Sequence, residues 1–226
     1  STAAGTPFPN AICLIGLTQI LFAQGRNRAA LVHLGRARRI GRSMRSELIE
    51  YHCLARLALY VLDRGRQALG MSLLRRVCAL NKKMGSVNLH FWTRTDIARL
   101  CAYALEAGIE TDHIRHYVRQ RGLELADAAT HCEEWPWPLK IYTLGRFQVL
   151  CHDEPISLSN KGQRKPLELL KALLAFGGRD VGVDQLAEAL WPDAEGDIAR
   201  QAFNTTLHRL RKLLDHDKVL VLQSGR

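Results

Sequence analysis

The side chains in this sequence best arranged to do chemistry lie between Asp197 and Leu214, and what they offer is recognition, not bond-making. Gln201, Thr205, His208, Arg209 and Lys212 recur at spacings that put them on one side of a helix, with Arg200, Asn204 and Arg211 on its flank. Beyond Asp197, that side carries several hydrogen-bond donors and no carboxylate as far as Lys212. Against duplex DNA, Arg and Gln can contact base edges in the major groove while Lys and Arg neutralise phosphates. A helix with a basic outer surface is more often simply solvated, so the stretch has to be weighed with its surroundings.

Bond-making chemistry finds no support. There is no Gly-x-Ser-x-Gly elbow, no His-Glu-x-x-His and no Gly-x-x-x-x-Gly-Lys-Ser/Thr phosphate loop. The nine histidines share no metal-binding spacing. Six cysteines, Cys13, Cys53, Cys78, Cys101, Cys132 and Cys151, stand singly with no Cys-x-x-Cys pair, and are expected as reduced, mostly buried thiols. His131-Cys132 and Cys151-His152 are the nearest approach to a metal set. No catalytic residue, metal or cofactor is expected, and the chain reads as a non-enzyme.

The recognition face needs an anchor, and the same stretch supplies it. Phe203, Leu207, Leu210 and Leu214 recur at helical spacing on the opposite side, which predicts a buried seam, with Asp197 placed to cap the amino end.

The rest of the chain must build a body for this helix. Its 226 residues, 47% hydrophobic and 24% charged, suit a soluble protein of two small domains. No apolar run is long enough for a membrane span and no signal-peptide pattern opens the chain, so a cytoplasmic protein without a membrane partner is expected. The formal charge of +10 is unevenly divided: residues 1–131 hold 19 Lys/Arg against 9 Asp/Glu, and residues 132–226 hold 13 against 13. Net charge therefore argues nothing for the second half. Only local segregation does, because Asp180, Asp184, Glu188, Asp193 and Glu195 cluster ahead of the cation-bearing helix.

Residues 1–131 read as an α-helical array. Gly25, Gly65 and Gly108 each follow an apolar-periodic segment and begin another, at intervals of 40 and 43 residues. The spacing predicts hairpins pairing 9–23 with 26–41, 46–62 with 66–84, and 91–107 with 110–121, each burying its apolar faces against its neighbours. The second hairpin should be the best buried, with Leu48, Tyr51, Leu54, Leu57, Leu59 and Val61 facing Ala68, Leu69, Leu73, Leu74 and Val77. An arginine-rich run, Arg26, Arg28, Arg36, Arg38, Arg39, Arg42 and Arg45, is either a site for an acidic partner or a solvated face.

The segment 132–138 reads as a linker, since two X-Pro steps around Trp135 and Trp137 enforce extended backbone. Beyond it, two short strands kinked at Gly145, a turn at 152–155 and a strand at 156–158 are expected. Three helices follow, Leu167 to Phe176, Asp184 to Leu190 and Asp197 to Leu214. A strand from Lys218 to Leu222 and the start of a hairpin at Gly225 close the sequence.

In order along residues 139–226, Leu144-Gly-Arg-Phe-Gln-Val, Gln163-Arg-Lys with Leu169-Leu170, Val183-Asp-x-Leu186-x-x-x-Leu190-Trp191 and Leu207-His-Arg-Leu-Arg-Lys-Leu-Leu resemble the winged-helix DNA-binding domain of response-regulator output type. The versions in bacterial activators of antibiotic-regulatory type look nearest. The period and hairpin pattern of residues 1–131 resemble the tetratricopeptide-like repeats of large maltose-regulator-type activators. The resemblance implies a mainly α chain, with a tetratricopeptide-like array before an α+β winged helix whose wing is truncated. In that family the third helix enters the major groove and the terminal hairpin reaches the minor groove. Gln201, Thr205, His208 and Arg209 would then face bases, Arg200, Arg211 and Lys212 would hold phosphates, Asn204 would lie at their flank, and Arg226 would begin the wing. His208 stands where many relatives carry Ser or Arg.

Two readings follow. The first is the carboxy-terminal part of a bacterial transcription activator that binds double-stranded DNA, with RNA polymerase as a partner and the repeats receiving a signal or self-associating. The second is an interaction scaffold whose winged helix docks protein.

Overall fold

The computed structural model describes residues 6–125, 132–156, 161–215 and 219–226. The chain is mainly α-helical with a small antiparallel sheet, and divides into two compact units, one ending at Pro136 and one running from Trp137 to Arg226. No helix among the described residues is long and apolar enough to cross a membrane.

Among the described residues the first unit holds six helices in three antiparallel pairs: α1 (Pro7–Ala23) with α2 (Asn27–Ser43), α3 (Glu47–Leu62) with α4 (Gln67–Lys83), and α5 (Arg94–Glu106) with α6 (Thr111–Arg121). Gly25, Gly65 and Gly108 take φ of +72°, +69° and +64° at the breaks, the left-handed geometry that spares a Cβ. Helix α5 starts three residues later than the spacing predicts, because Thr93 caps it by accepting from the Asp96 amide at 3.0 Å. The second hairpin is anchored by α3, whose Tyr51, Leu54, Leu59 and Val61 are buried, as are Leu74 and Val77 of α4. Leu69 departs from its expected role. It stands 42% exposed on the outer side of α4, and Gly70 is the residue that meets α3.

The expected linker is divided between the units. Cys132 and Trp135 are buried in the first, where the Arg115 guanidinium donates to the Glu134 carbonyl at 3.2 Å.

The second unit opens with a three-stranded meander, β1 (Leu139–Tyr142), β2 (Gln148–Cys151) and β3 (Glu154–Pro155). Leu139 pairs with Cys151 and Tyr142 with Gln148 across a loop containing Gly145. The second turn is tighter than expected. His152 and Asp153 both take positive φ, giving a two-residue hairpin, so the strand resumes at Glu154 and Ile156 lies beyond it. The remainder of the expected strand, 157–158, lies outside the described residues, as do His131 and Lys218.

Helix α7 (Arg164–Ala175) begins three residues ahead of the expected start, with Pro166 in its first turn, where a missing amide hydrogen costs nothing. Helices α8 (Val183–Leu190) and α9 (Gly196–Leu213) complete the unit. Leu169, Leu170, Val183, Leu186, Phe203, Leu207, Leu210 and Leu214 form its core together with Val149 of β2. The expected closing strand does not form a ladder. Among the described residues, the backbone beyond Val219 pairs only where Gln223 and Arg226 exchange hydrogen bonds around Ser224-Gly225, and where the Val183 amide donates to the Gly225 carbonyl at 3.0 Å.

Candidate nucleic-acid interface

Helix α9 is held by its apolar seam. Phe203 is 3% exposed, Leu207 8%, and Leu210 and Leu214 are fully buried. At about 25 cal/mol per Å² of apolar surface removed from water, four such side chains contribute several kcal/mol, enough to fix the helix and its outward face. Asp197 does not cap it. Glu195 occupies the capping position in extended backbone without a side-chain cap bond, and Asp197 lies within the first turn, where its charge complements the helix dipole.

On the opposite side Gln201, Thr205, His208, Arg209 and Lys212 are all exposed, as is Asn204 on the flank. They sit on one face because the helix returns to the same side every three to four residues. Thr205 Oγ1 donates back to the Gln201 carbonyl at 3.0 Å.

The flanking cations are engaged within the unit. Arg200 pairs with Asp184 of α8, Nη2 to Oδ1 at 3.0 Å, between side chains 58% and 80% exposed. An ion pair that open to water is worth about 0–1 kcal/mol, so a phosphate can displace it. Arg211 is held more firmly. Its Nη2 and Nε donate to the Leu220 carbonyl at 2.8 and 3.2 Å, and the side chain is half-buried. Arg211 thereby braces α9 to the segment after it through two of its nitrogens. His208, Arg211, Lys212 and Asp215 surround an open hollow of about 280 Å³ at the carboxy end of α9.

Arg226 is exposed in the turn after Gln223. The segment leading to it, with Leu220 buried, borders an apolar groove of about 660 Å³ lined also by Leu173, Val183 and Phe203. Sequence reasoning missed Asp184 and the Leu220 carbonyl as partners of the flanking arginines. They lie 16 and 9 residues away along the chain, and no local spacing signals them.

Among the described residues no group of three or more His, Cys, Asp or Glu side chains could hold a metal ion. Cys53, Cys78, Cys101 and Cys132 are buried free thiols, Cys13 is exposed and Cys151 is half-buried. Burial pushes the Cys53 and Cys78 thiols up to about 12. No family model matches the chain, nor does any curated protein or any solved structure.

Proposed function

We propose that this chain is the carboxy-terminal part of a cytoplasmic bacterial transcription activator, in which the second unit is a winged helix that binds promoter DNA and the first is a tetratricopeptide-like array that receives a signal or mediates assembly. One observation carries the reading: α9 is anchored by a buried leucine seam, and between Asp197 in its first turn and Asp215 beyond its end the other side presents exposed donors with no intervening carboxylate. Gln201, Thr205, His208 and Arg209 lie where base edges would be read. Lys212, and Arg200 once released from Asp184, would hold phosphates. Asn204 flanks them, and Arg226 stands where a wing would approach the neighbouring groove.

RNA polymerase and self-association through the helical array are further partners of this reading. It assigns no cofactor and no catalysis.

The test is selection of bound sites from random duplexes by the intact chain, followed by mobility-shift titration over a range of salt. Recovery of a defined site, bound with an affinity that falls steeply as salt rises, is the expected result. A protein partner whose capture depends on Arg209 and Lys212, with no duplex shifted at any salt, would replace this reading with a protein-docking one.

A further inference from the structure

The surplus of positive charge lies away from the helix assigned to DNA. It falls within residues 1–131 and is densest around α2, where seven arginines from Arg26 to Arg45 precede Glu47, the first carboxylate of the chain. Helix α2 buries Ala30, Leu34, Ala37 and Gly41 on its core side. Opposite them Arg28, Arg36, Arg39 and Arg42 are exposed, within an arc of about 120° and over about 21 Å of helix at 1.5 Å per residue.

Three features set this face apart from an ordinary solvated one. Elsewhere in the unit Arg76 pairs with Glu50, Lys82 with Glu110 and Arg99 with Asp63, whereas among the described residues no ion pair reaches these four arginines. Arg36, Arg39 and Arg42 follow one another at three-residue steps, which destabilises a bare helix by a few tenths of a kcal/mol per like-charged pair. And Gly35, in the same arc, meets nothing within 4 Å of where a Cβ would stand, so packing within the chain does not account for a residue that weakens a helix.

We propose that the exposed arginine face of α2 is a phosphate-binding surface that grips the backbone of duplex DNA without reading its sequence. The inference rests on duplex DNA being the ligand of the chain. Residues 132–226 carry no net charge, Arg211 is committed to Leu220, and few cations of α9 are left for phosphates. Duplex affinity comes largely from the number of phosphates neutralised, and guanidinium forks match phosphate geometry better than ammonium groups do. The face holds arginine and no lysine. An acidic protein segment would need apolar anchoring as well, and Val32, 54% exposed, is the only large apolar side chain in the arc.

The experiment is an anisotropy titration of the intact chain against a 30-base-pair duplex of arbitrary sequence over a salt series. The variants are R36Q/R39Q/R42Q, R36K/R39K/R42K, Arg39→Gln alone and R209A/K212A, with a poly-glutamate peptide as a second probe. The triple glutamine variant should bind at least tenfold more weakly, with a log K against log salt slope shallower by about 2–3, since each phosphate contact contributes about 0.9. The triple lysine variant should keep most of the slope, and Arg39→Gln alone should remove about 0.9 of it. Wild-type slopes in both glutamine variants, with wild-type circular dichroism, overturn the proposal. So does loss of poly-glutamate binding with duplex binding intact. Weakening in R209A/K212A with wild-type behaviour in the α2 variants removes this surface and leaves the α9 reading standing. The reverse pattern keeps the surface and removes α9, and a wild-type chain that binds no duplex removes both.

Discussion

Arg211 of α9 holds the carbonyl oxygen of Leu220 with two nitrogens of one guanidinium, at 2.8 and 3.2 Å. A carbonyl gripped in this way ties the segment after α9 to the helix itself. Arg211→Ala should therefore lower unfolding free energy by about 1.5–3 kcal/mol, the range for a hydrogen bond to a charged group, and Arg211→Lys should recover part of it. Urea titration measures the loss. The salt dependence of DNA binding should keep its slope in Arg211→Ala, and a slope shallower by about 0.9 would return Arg211 to the phosphate ligands.

Arg209 is exposed on the outer face, clear of the apolar seam. Arg209→Ala should leave thermal stability within about 0.5 kcal/mol of wild type, as exposed substitutions do. It should weaken binding to a selected site by about 1–3 kcal/mol while affecting arbitrary duplex far less. Lys212→Ala should weaken both alike. Competition titration against the two duplexes reads the difference, and equal losses in Arg209→Ala would strip it of a base-reading role.

Much of the fold is legible in the sequence because it is written in short-range periodicity. Phe203, Leu207, Leu210 and Leu214 define the seam of α9 by spacing alone, and all four are buried. Gly25, Gly65 and Gly108 mark hairpin breaks that local backbone geometry demands. What escapes is set by tertiary partners. Val219 to Leu222 has the composition of a strand, yet Leu220 is buried while its carbonyl goes to Arg211, and no neighbouring strand pairs with the run among the described residues. The outer face of α9 was readable as a set of exposed residues. Which of its cations are free was not, because Asp184 and Leu220 reach it through the fold.

His52 is fully buried in α3, stacked on His90 with ring centroids 5.7 Å apart, and neither ring nitrogen has a hydrogen-bond partner among the described residues. Burial, then the nearby His90 and Arg56, depress it to about 4. The folded protein thus resists protonating a group that titrates near 6.5 once unfolded. Its contribution is complete above about pH 6.5 and is lost as pH falls toward 4, a change on the order of 3 kcal/mol. Urea titrations at pH 7 and pH 5 should differ in this direction, and His52→Gln should flatten the difference. An unchanged pH dependence in His52→Gln would assign the acid sensitivity to other groups.

Two glycines of α2 make opposite predictions from the same substitution. A Cβ at Gly41 would stand 2.6 Å from Ile49 Cγ2 and 3.0 Å from Ile49 Cβ, a β-branched side chain that is itself fully buried and has little room to turn. Gly41→Ala should therefore push α2 and α3 apart and cost about 1–3 kcal/mol. At Gly35 no described atom beyond its chain neighbours and the helix's own backbone lies within 4 Å of the same position, so Gly35→Ala should stabilise the helix by up to about 1 kcal/mol. Thermal melts of the two single variants test the pair. Equal destabilisation would mean that contact with α3 is not what requires a glycine at Gly41. If Gly35→Ala raises stability yet loosens the grip on arbitrary duplex, then the gap it fills is one that a phosphate backbone occupies.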